Sequence, residues 1–324
     1  MTSSAVKIDY LLQPHDLLEE LRSDVRTGLT SSPKELPPKW FYDERGSRLF
    51  DDITRLPEYY LTRREREILS RESSEIARLA GANTLIELGS GTADKTRVML
   101  DAMKASGSLE RYVPFDVDGD TLVETAESIA SEYGIFVHGI VGDFEKHLYG
   151  LPRGGRRMLA FLGSTVGNLE PATRKGFFSD IASVLDAGDA LLLGVDLVKD
   201  AGRLRAAYDD ARGVTAEFNR NVLEVINRRL GGDFHAAGFE HRAVFEVHNE
   251  WIEMRLRSSD EQTVWIRDLD LEVSFEPGEE MRTEISAKFR RASLEAEVEA
   301  VGLRVAHWWT DAAGDFALIL AFAL

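Results

Sequence analysis

The chain has 324 residues, 44% of them hydrophobic, enough to bury one large core or two moderate ones. A formal net charge of −17 gives a negative surface potential, so neither a nucleic-acid backbone nor an anionic membrane is expected as a partner. With no cysteine, disulfides, thiolate catalysis and Cys-ligated zinc are excluded together.

The start, Met-Thr-Ser-Ser-Ala-Val-Lys-Ile-Asp-Tyr, has no basic segment followed by an apolar core. No run approaches the roughly 18 apolar residues of a spanning helix, and a cytoplasmic location is expected. Leu17, Leu18, Leu21, Val25 and Leu29 recur at helical spacing, which predicts an amphipathic helix over 17–29. Pro33, Pro37 and Pro38 end it. The next segment is rich in aromatics (Trp40, Phe41, Tyr42, Phe50, Tyr59, Tyr60), too many for a solvated linker, and they form either a small satellite core or a binding wall. Thr62 is a candidate cap for a helix over 63–79, with Glu65 in its first turn.

Strands and helices then alternate. Thr84 to Leu88 is a short apolar run of the buried-strand kind, ending in Gly89-Ser-Gly91 before a helix that runs to about residue 105. Two glycines let a backbone approach a ligand closely, and the helix start offers free N–H groups and a positive dipole end. Asp94 stands where a dinucleotide fingerprint has its third glycine, and Glu87 is poorly suited to phosphates, so a ligand with a positive end is expected. A second strand, 112–117, ends near Asp116, about 25 residues beyond the glycines, where a carboxylate accepts ribose hydroxyls; a solvated strand-end Asp is the alternative. After a helix over 120–133 and a third strand over 135–141, Asp143-Phe144 can give a carboxylate to an adenine amino group and a ring to its face, or be a turn Asp and a core Phe. A fourth strand, 157–162, runs into Gly163-Ser-Thr-Val-Gly-Asn168, and Asn168 is a substrate-facing candidate. The fifth strand ends at Asp196.

Beyond it the alternation stops. Residues 204–230 read as one helix ended by Gly231-Gly232, and the period changes to two between about 242 and 286, predicting antiparallel strands. A helix over 289–301 and a closing hairpin complete the chain. The seven histidines (His15, His138, His147, His235, His241, His248, His307) show no metal-binding spacing, no G-x-S-x-G elbow is present, and no metal site is expected.

Glu-Leu-Gly-Ser-Gly-Thr, 87–92, resembles motif I of the class I S-adenosylmethionine-dependent methyltransferases. That resemblance implies an α/β fold, a Rossmann-like sheet of order 3-2-1-4-5-7-6 with strand 7 antiparallel. Pro-Pro-Lys-Trp-Phe-Tyr-Asp (37–43), Gly-Ser-Arg-Leu-Phe-Asp (46–51), Leu-Pro-Glu-Tyr-Tyr (56–60), Phe-Leu-Gly-Ser-Thr-Val-Gly-Asn (161–168) and Arg-Thr-Glu-Ile-Ser (282–286) extend it. Together they resemble the histidine Nα-methyltransferases of ergothioneine biosynthesis, which convert L-histidine to the trimethylbetaine hercynine.

By that resemblance, Tyr59 and Tyr208 hold the histidine carboxylate, Asn168 and the Gly163 carbonyl hold the α-amine, and Tyr42 and Phe50 line the methylation pocket. Glu284 and Ser286 read the imidazole beside Met254, while Gly89, Gly91, Lys95, Asp116, Asp143 and Phe144, with Glu87 before the turn, serve S-adenosylmethionine. From residue pattern alone, 282–286 is equally a plain alternating strand. Leu61 departs from the family, where proline is expected. The implied organisation is a cofactor domain of 63–196 with 287–324 and a substrate domain of 1–62 with 197–286, in a monomer. A class I methyltransferase for another amino acid or small amine, and a non-catalytic S-adenosylmethionine-binding regulator, are the alternatives; Glu284 with Ser286 disfavours the first.

Overall fold

The structure, a computed structural model, describes residues 5–93 and 95–324; Asp94 therefore lies outside the described residues. In chain order the first elements are β1 (Val6–Tyr10), α1 (Pro14–Thr30), β2 (Lys34–Glu35), α2 (Glu44–Thr54), α3 (Leu61–Ala80) and β3 (Thr84–Leu88). Next come α4 (Thr96–Ala105), β4 (Arg111–Asp116), α5 (Gly119–Tyr133), β5 (Phe136–Val141), α6 (Phe144–His147), β6 (Arg157–Phe161), α7 (Pro171–Val184) and β7 (Ala190–Asp196). Then α8 (Ala201–Tyr208), α9 (Val214–Leu230), β8 (Phe239–Glu246), β9 (Trp251–Ser258), β10 (Gln262–Ile266), β11 (Leu271–Phe275) and β12 (Glu280–Ala287) follow. The last three are α10 (Arg291–Glu299), β13 (Leu303–Thr310) and β14 (Phe316–Ala323).

Two compact units result, one of 5–13, 63–197 and 289–324, the other of 14–62 and 198–288. The larger holds an eight-stranded sheet of order β1-β5-β4-β3-β6-β7-β14-β13. Its strands from β5 to β13 reproduce the order 3-2-1-4-5-7-6, and β14 runs antiparallel to β7. All residues of β3 and β7 are buried, as strands covered on both faces require. The eighth strand was not anticipated. Val-Lys-Ile-Asp-Tyr pairs parallel with β5 from Val6 with Val137 to Tyr10 with Val141, so this stretch belongs to the larger unit instead of joining 14–62. Its alternation is legible, but only the partner edge decides where it goes. Asp9 Oδ2, 2.7 Å from His138 Nε2, ties the two strands.

In the smaller unit a four-stranded sheet of order β2-β12-β9-β8 is accompanied by the β10-β11 hairpin. The expected single helix over 204–230 is two, α8 and α9. Between them Asp210 accepts the amides of Arg212, Val214 and Thr215, and Gly213 takes a φ of 74°, which ends one helix and opens the next. Strand β8 stops at Glu246, so Val247 and His248 lie in a turn and do not continue its alternation. Helix α3 begins at Leu61, leaving Thr62 inside it; at this first helical position a proline is equally tolerated, so Leu61 alters no backbone requirement.

Candidate functional site

In the larger unit the parallel register brings the carboxyl ends of four strands to one edge. Leu88 lies beside Phe115 and Phe161, and Asp116 beside Val141. The segments that leave them, Gly89–Gly91, Asp116, Asp143 and Gly163, are therefore neighbours, although over 70 residues separate the first from the last. Gly89 and Gly91 have φ of 70° and 46°, a region costly for residues with a Cβ, and a Cβ built on either meets nothing within 4 Å. The space over the turn is open. Asp116 caps it: Gly91 N–H donates to Oδ2 at 2.9 Å and Asp118 N–H to Oδ1 at 3.1 Å. Burial pushes its pKa up, and the Gly91 and Asp118 amides oppose that shift. Asp143 Oδ1 accepts the Glu145 amide at 2.9 Å, and Phe144 packs edge-on to Phe161 with ring centres 5.2 Å apart.

Glu87 takes another position from the one its sequence suggests. Its carboxylate accepts from the Thr96 hydroxyl and from Tyr112 OH at 2.6 Å, so both oxygens serve the protein's own hydroxyls. Desolvation raises its pKa to about 7 despite those two bonds. It braces β3 against the start of α4 and the neighbouring β4.

Glu65 was read only as a first-turn charge. It is fully buried, with Oε1 accepting the Gly163 amide at 2.7 Å and Oε2 the Lys95 ammonium at 2.5 Å. It thereby links the loop after β6 to the segment after the glycine turn. Ser164, the next residue, has a φ of 61° and accepts the Asp196 amide on its hydroxyl at 2.9 Å. Asn168 is half-buried, and its side chain makes no hydrogen bond with other described residues.

The smaller unit brings together most of the other candidates. Tyr42, Phe50, Tyr59 and Tyr208 form a run of edge-on rings with centres 5.6, 6.1 and 6.2 Å apart in succession. Phe218 of α9, 2% exposed, backs this run at 5.5 Å from Tyr42 and 5.9 Å from Phe50. The Tyr208 hydroxyl lies 2.7 Å from Ser286 Oγ, and buried Lys288 donates to both oxygens at 2.9 Å. On β12 a bulge at Thr283 shifts the register, setting Glu284 opposite Met254 and Ser286 opposite Ile252. Thr283 is held there by donating to Asn219 Oδ1 at 2.7 Å or Met254 O at 3.0 Å. Glu284 is 8% exposed and has no hydrogen-bond partner among the described residues. Desolvation raises its pKa to about 7, opposed by the charge of Lys288.

Behind Tyr208, His241 Nε2 lies 2.8 Å from the Tyr208 carbonyl and Nδ1 2.8 Å from Asn219 Nδ2. These partners demand a neutral ring with its hydrogen on Nε2. Lys288, Phe218, Glu65 and His241 were not among the sequence candidates. Lys288, two residues beyond Ser286, carries the one pattern that could have flagged it.

A glycine turn between a central parallel strand and a helix, flanked by strand-end carboxylates on a sheet of this order, defines a class I S-adenosylmethionine-dependent methyltransferase. A family model described as "Histidine-specific methyltransferase, SAM-dependent" matches residues 21–323. Histidine N-alpha-methyltransferase of Mycolicibacterium smegmatis is 58% identical over 94% of this chain and 95% of its own. The protein of the same description from Mycobacterium tuberculosis is 57% identical over 93% and 94% respectively. Ergothioneine biosynthesis protein 1 of Schizosaccharomyces pombe is 32% identical over 68% of this chain and 31% of its own. The chain belongs to the histidine-specific, S-adenosylmethionine-dependent methyltransferase family. Among the described residues no helix is long and apolar enough to cross a membrane, and no cluster suits a metal ion.

Proposed function

We propose that this chain transfers methyl groups from S-adenosylmethionine to the α-amino nitrogen of L-histidine, three in succession, giving hercynine for ergothioneine biosynthesis. The observation that carries the substrate is Glu284: a carboxylate buried to 8% exposure without a hydrogen-bond partner among the described residues is costly unless a ligand N–H completes it. An imidazole supplies that N–H, and a phenyl ring does not. The names of the two mycobacterial relatives agree with the α-nitrogen, and that of the yeast relative with the pathway.

S-adenosylmethionine supplies an electrophilic methyl group on a sulfonium. The open turn at Gly89 and Gly91 suits it, with Lys95 nearby and Asp116, Asp143 and Phe144 taking the ribose and adenine. Asn168 and the Gly163 carbonyl take the hydrogens of the α-amine and aim its lone pair, which turns an encounter into an in-line approach. Tyr59 and Tyr208 donate to the substrate carboxylate, while Glu284 and Ser286 grip the ring against Met254. Tyr42 and Phe50 exclude water and stabilise the ammonium that forms by presenting ring faces. The amine must lose its proton before each attack.

The reading is tested by mass spectrometry of L-histidine incubated with S-adenosylmethionine and the protein. The expected products are one, two and three methyl additions on the α-nitrogen. Methylation at a ring nitrogen, or none on histidine but transfer to another amine, overturns it.

A further inference from the structure

Three buried side chains, Asn219 of α9, His241 of β8 and Thr283 of β12, join the strand that carries Glu284 to the helix end that carries Tyr208, and none of them has a substrate contact in the assignments above. Asn219 stands at the centre. Its Nδ2 lies 3.1 Å from the Arg255 carbonyl and 2.8 Å from His241 Nδ1, while its Oδ1 lies 2.7 Å from the Thr283 hydroxyl. His241 Nε2 is 2.8 Å from the Tyr208 carbonyl. The carbonyls at the two ends, of Arg255 and Tyr208, can only accept, which leaves each hydrogen between them one place. The amide nitrogen of Asn219 faces Arg255 and gives its second hydrogen to His241 Nδ1, the ring hydrogen sits on Nε2, and Oδ1 takes the Thr283 hydroxyl. Were Thr283 to donate to Met254 O at 3.0 Å instead, Oδ1 would be buried with no donor among the described residues.

Thr283 fixes the face on which its neighbours stand. Arg282 is opposite Arg255, but the next pairs are Glu284 with Met254 and Ser286 with Ile252. Residues directly opposite in an antiparallel pair share a face, so the bulge places Glu284 and Ser286 with Met254 and Ile252. In a continuous register Glu284 would stand opposite Glu253 and Ser286 opposite Trp251, on the face of Arg255 and Arg282. That face already holds ion pairs, Arg255 with Glu253 and with Glu280. A regular ladder, with a further carboxylate beside two guanidiniums, therefore competes with the bulged one.

We propose that Asn219 is a positioning residue for substrate specificity: by holding the Thr283 bulge it turns Glu284 and Ser286 to the Met254 face, and through His241 it ties that bulge to the Tyr208 backbone. Selection of the ring and the grip on the carboxylate thereby share one support. The inference rests on the assignment of Glu284 and Ser286 to the imidazole.

The test is calorimetric titration of the S-adenosylhomocysteine complex with L-histidine and with L-phenylalanine. The proteins are wild type, Asn219→Ala, Thr283→Val, Thr283→Ser, Glu284→Ala and the double variant of Asn219→Ala with Thr283→Val. Asn219→Ala and Thr283→Val are each expected to lower the ratio of histidine to phenylalanine affinity about tenfold or more, with S-adenosylhomocysteine affinity within about twofold. A loosened fold alone weakens both amino acids alike and leaves the ratio in place. Thr283→Ser keeps the hydroxyl and is expected within about threefold of wild type, and the double variant within about threefold of the weaker single, because both changes remove one link. Nitrogen NMR of the histidine rings at about pH 7.5, with His241 identified by its loss in His241→Gln, is expected to show hydrogen on Nε2 alone. A folded Asn219→Ala with a ratio within about twofold of wild type, losses that multiply in the double variant, Thr283→Ser as poor as Thr283→Val, or a hydrogen on His241 Nδ1 overturns the inference. Should Asn219→Ala fail to melt cooperatively, Thr283→Val is read by the same ratio. Glu284→Ala separates the two levels: if it lowers the ratio and Asn219→Ala does not, only the Asn219 inference falls. If Glu284→Ala leaves the ratio at wild type, or wild type does not bind histidine, the ring assignment falls and this inference with it.

Discussion

Glu65 accepts the Gly163 amide on one carboxylate oxygen at 2.7 Å and takes the Lys95 ammonium on the other at 2.5 Å. A residue at the start of a long helix thus sets the position of a proposed substrate loop and of a proposed cofactor contact at once. Lys95 keeps a quarter of its side-chain surface in solvent, whereas Glu65 keeps none, so the carboxylate is the member that cannot rehydrate if the pair is broken.

Glu65→Ala takes the acceptor from the half-buried Gly163 amide and Lys95 ammonium, and should destabilise the protein by about 2 to 4 kcal/mol in denaturant titration while weakening S-adenosylhomocysteine binding. Gly194→Ala offers an independent check, since its Cβ would come within 2.2 Å of Glu65 Oε1 and displace it. Unchanged cofactor affinity in both variants shows that the link is not transmitted to the cofactor.

Asp116→Ala removes the acceptor of the Gly91 and Asp118 amides together with the proposed ribose contact. Calorimetric titration with S-adenosylhomocysteine should show a loss of about 1.5 to 3 kcal/mol, the size of charge-assisted bonds. An equal affinity moves the ribose elsewhere.

The Glu284 carboxyl predicts a trade between stability and binding. Burial raises its pKa from 4.5 to about 7, so between those values the folded chain binds more protons than the unfolded one. Its contribution is therefore fully present below about pH 4.5 and lost as pH rises through 7. Glu284→Gln cannot ionise and should exceed wild type in stability at pH 8 by up to about 3 kcal/mol, less at lower pH, in the ligand-free protein. Glu87, raised to the same value, is a contrast: its two oxygens accept from Thr96 and Tyr112, so Glu87→Gln loses an acceptor and should not gain. Chemical denaturation at two pH values decides both.

Ring selectivity is the functional half of that trade. With Glu284→Ala the penalty for a ring without N–H disappears, and the preference for histidine over phenylalanine should fall by about a hundredfold or more. Cofactor affinity should move far less. A mutant whose histidine to phenylalanine ratio of kcat/KM equals wild type removes the main physical support for a histidine site.

His241 gives an acid-side prediction. Burial lowers its pKa below 6.5, against the Tyr208 carbonyl and the charges of Asp209 and Asp210, with Arg220 adding to the lowering. Below about pH 6.5 the unfolded chain therefore binds a proton that the folded ring resists, and stability falls as pH falls. His241→Gln should flatten that part of the stability profile, which thermal melts across the range will show. It should also raise the histidine KM, because the ring holds the Tyr208 backbone.

What the sequence determined by itself was whatever a few neighbouring residues settle. The buried run 84–88, the glycines that must take positive φ, and the acidic strand end at Asp116 follow from local period and backbone sterics. The motif strings around 37–60, 161–168 and 282–286 likewise carried the family, because each is a contiguous pattern. Tertiary structure decided the partnerships. Glu65 meets Gly163 across 98 positions and Lys288 meets Tyr208 across 80, so nothing near either residue distinguishes a buried ion from a solvated one. The same holds for Glu87, whose carboxylate is taken by Thr96 and Tyr112, and for β1, whose alternation names a strand but not its edge. The break between α8 and α9 was the exception: Asp210 and Gly213 stand close together, and an Asp followed by glycine was readable as a helix end and a new cap. Charge and period fix a residue's type of environment; only the packed chain, by excluding water from particular side chains, fixes what each must bond to instead.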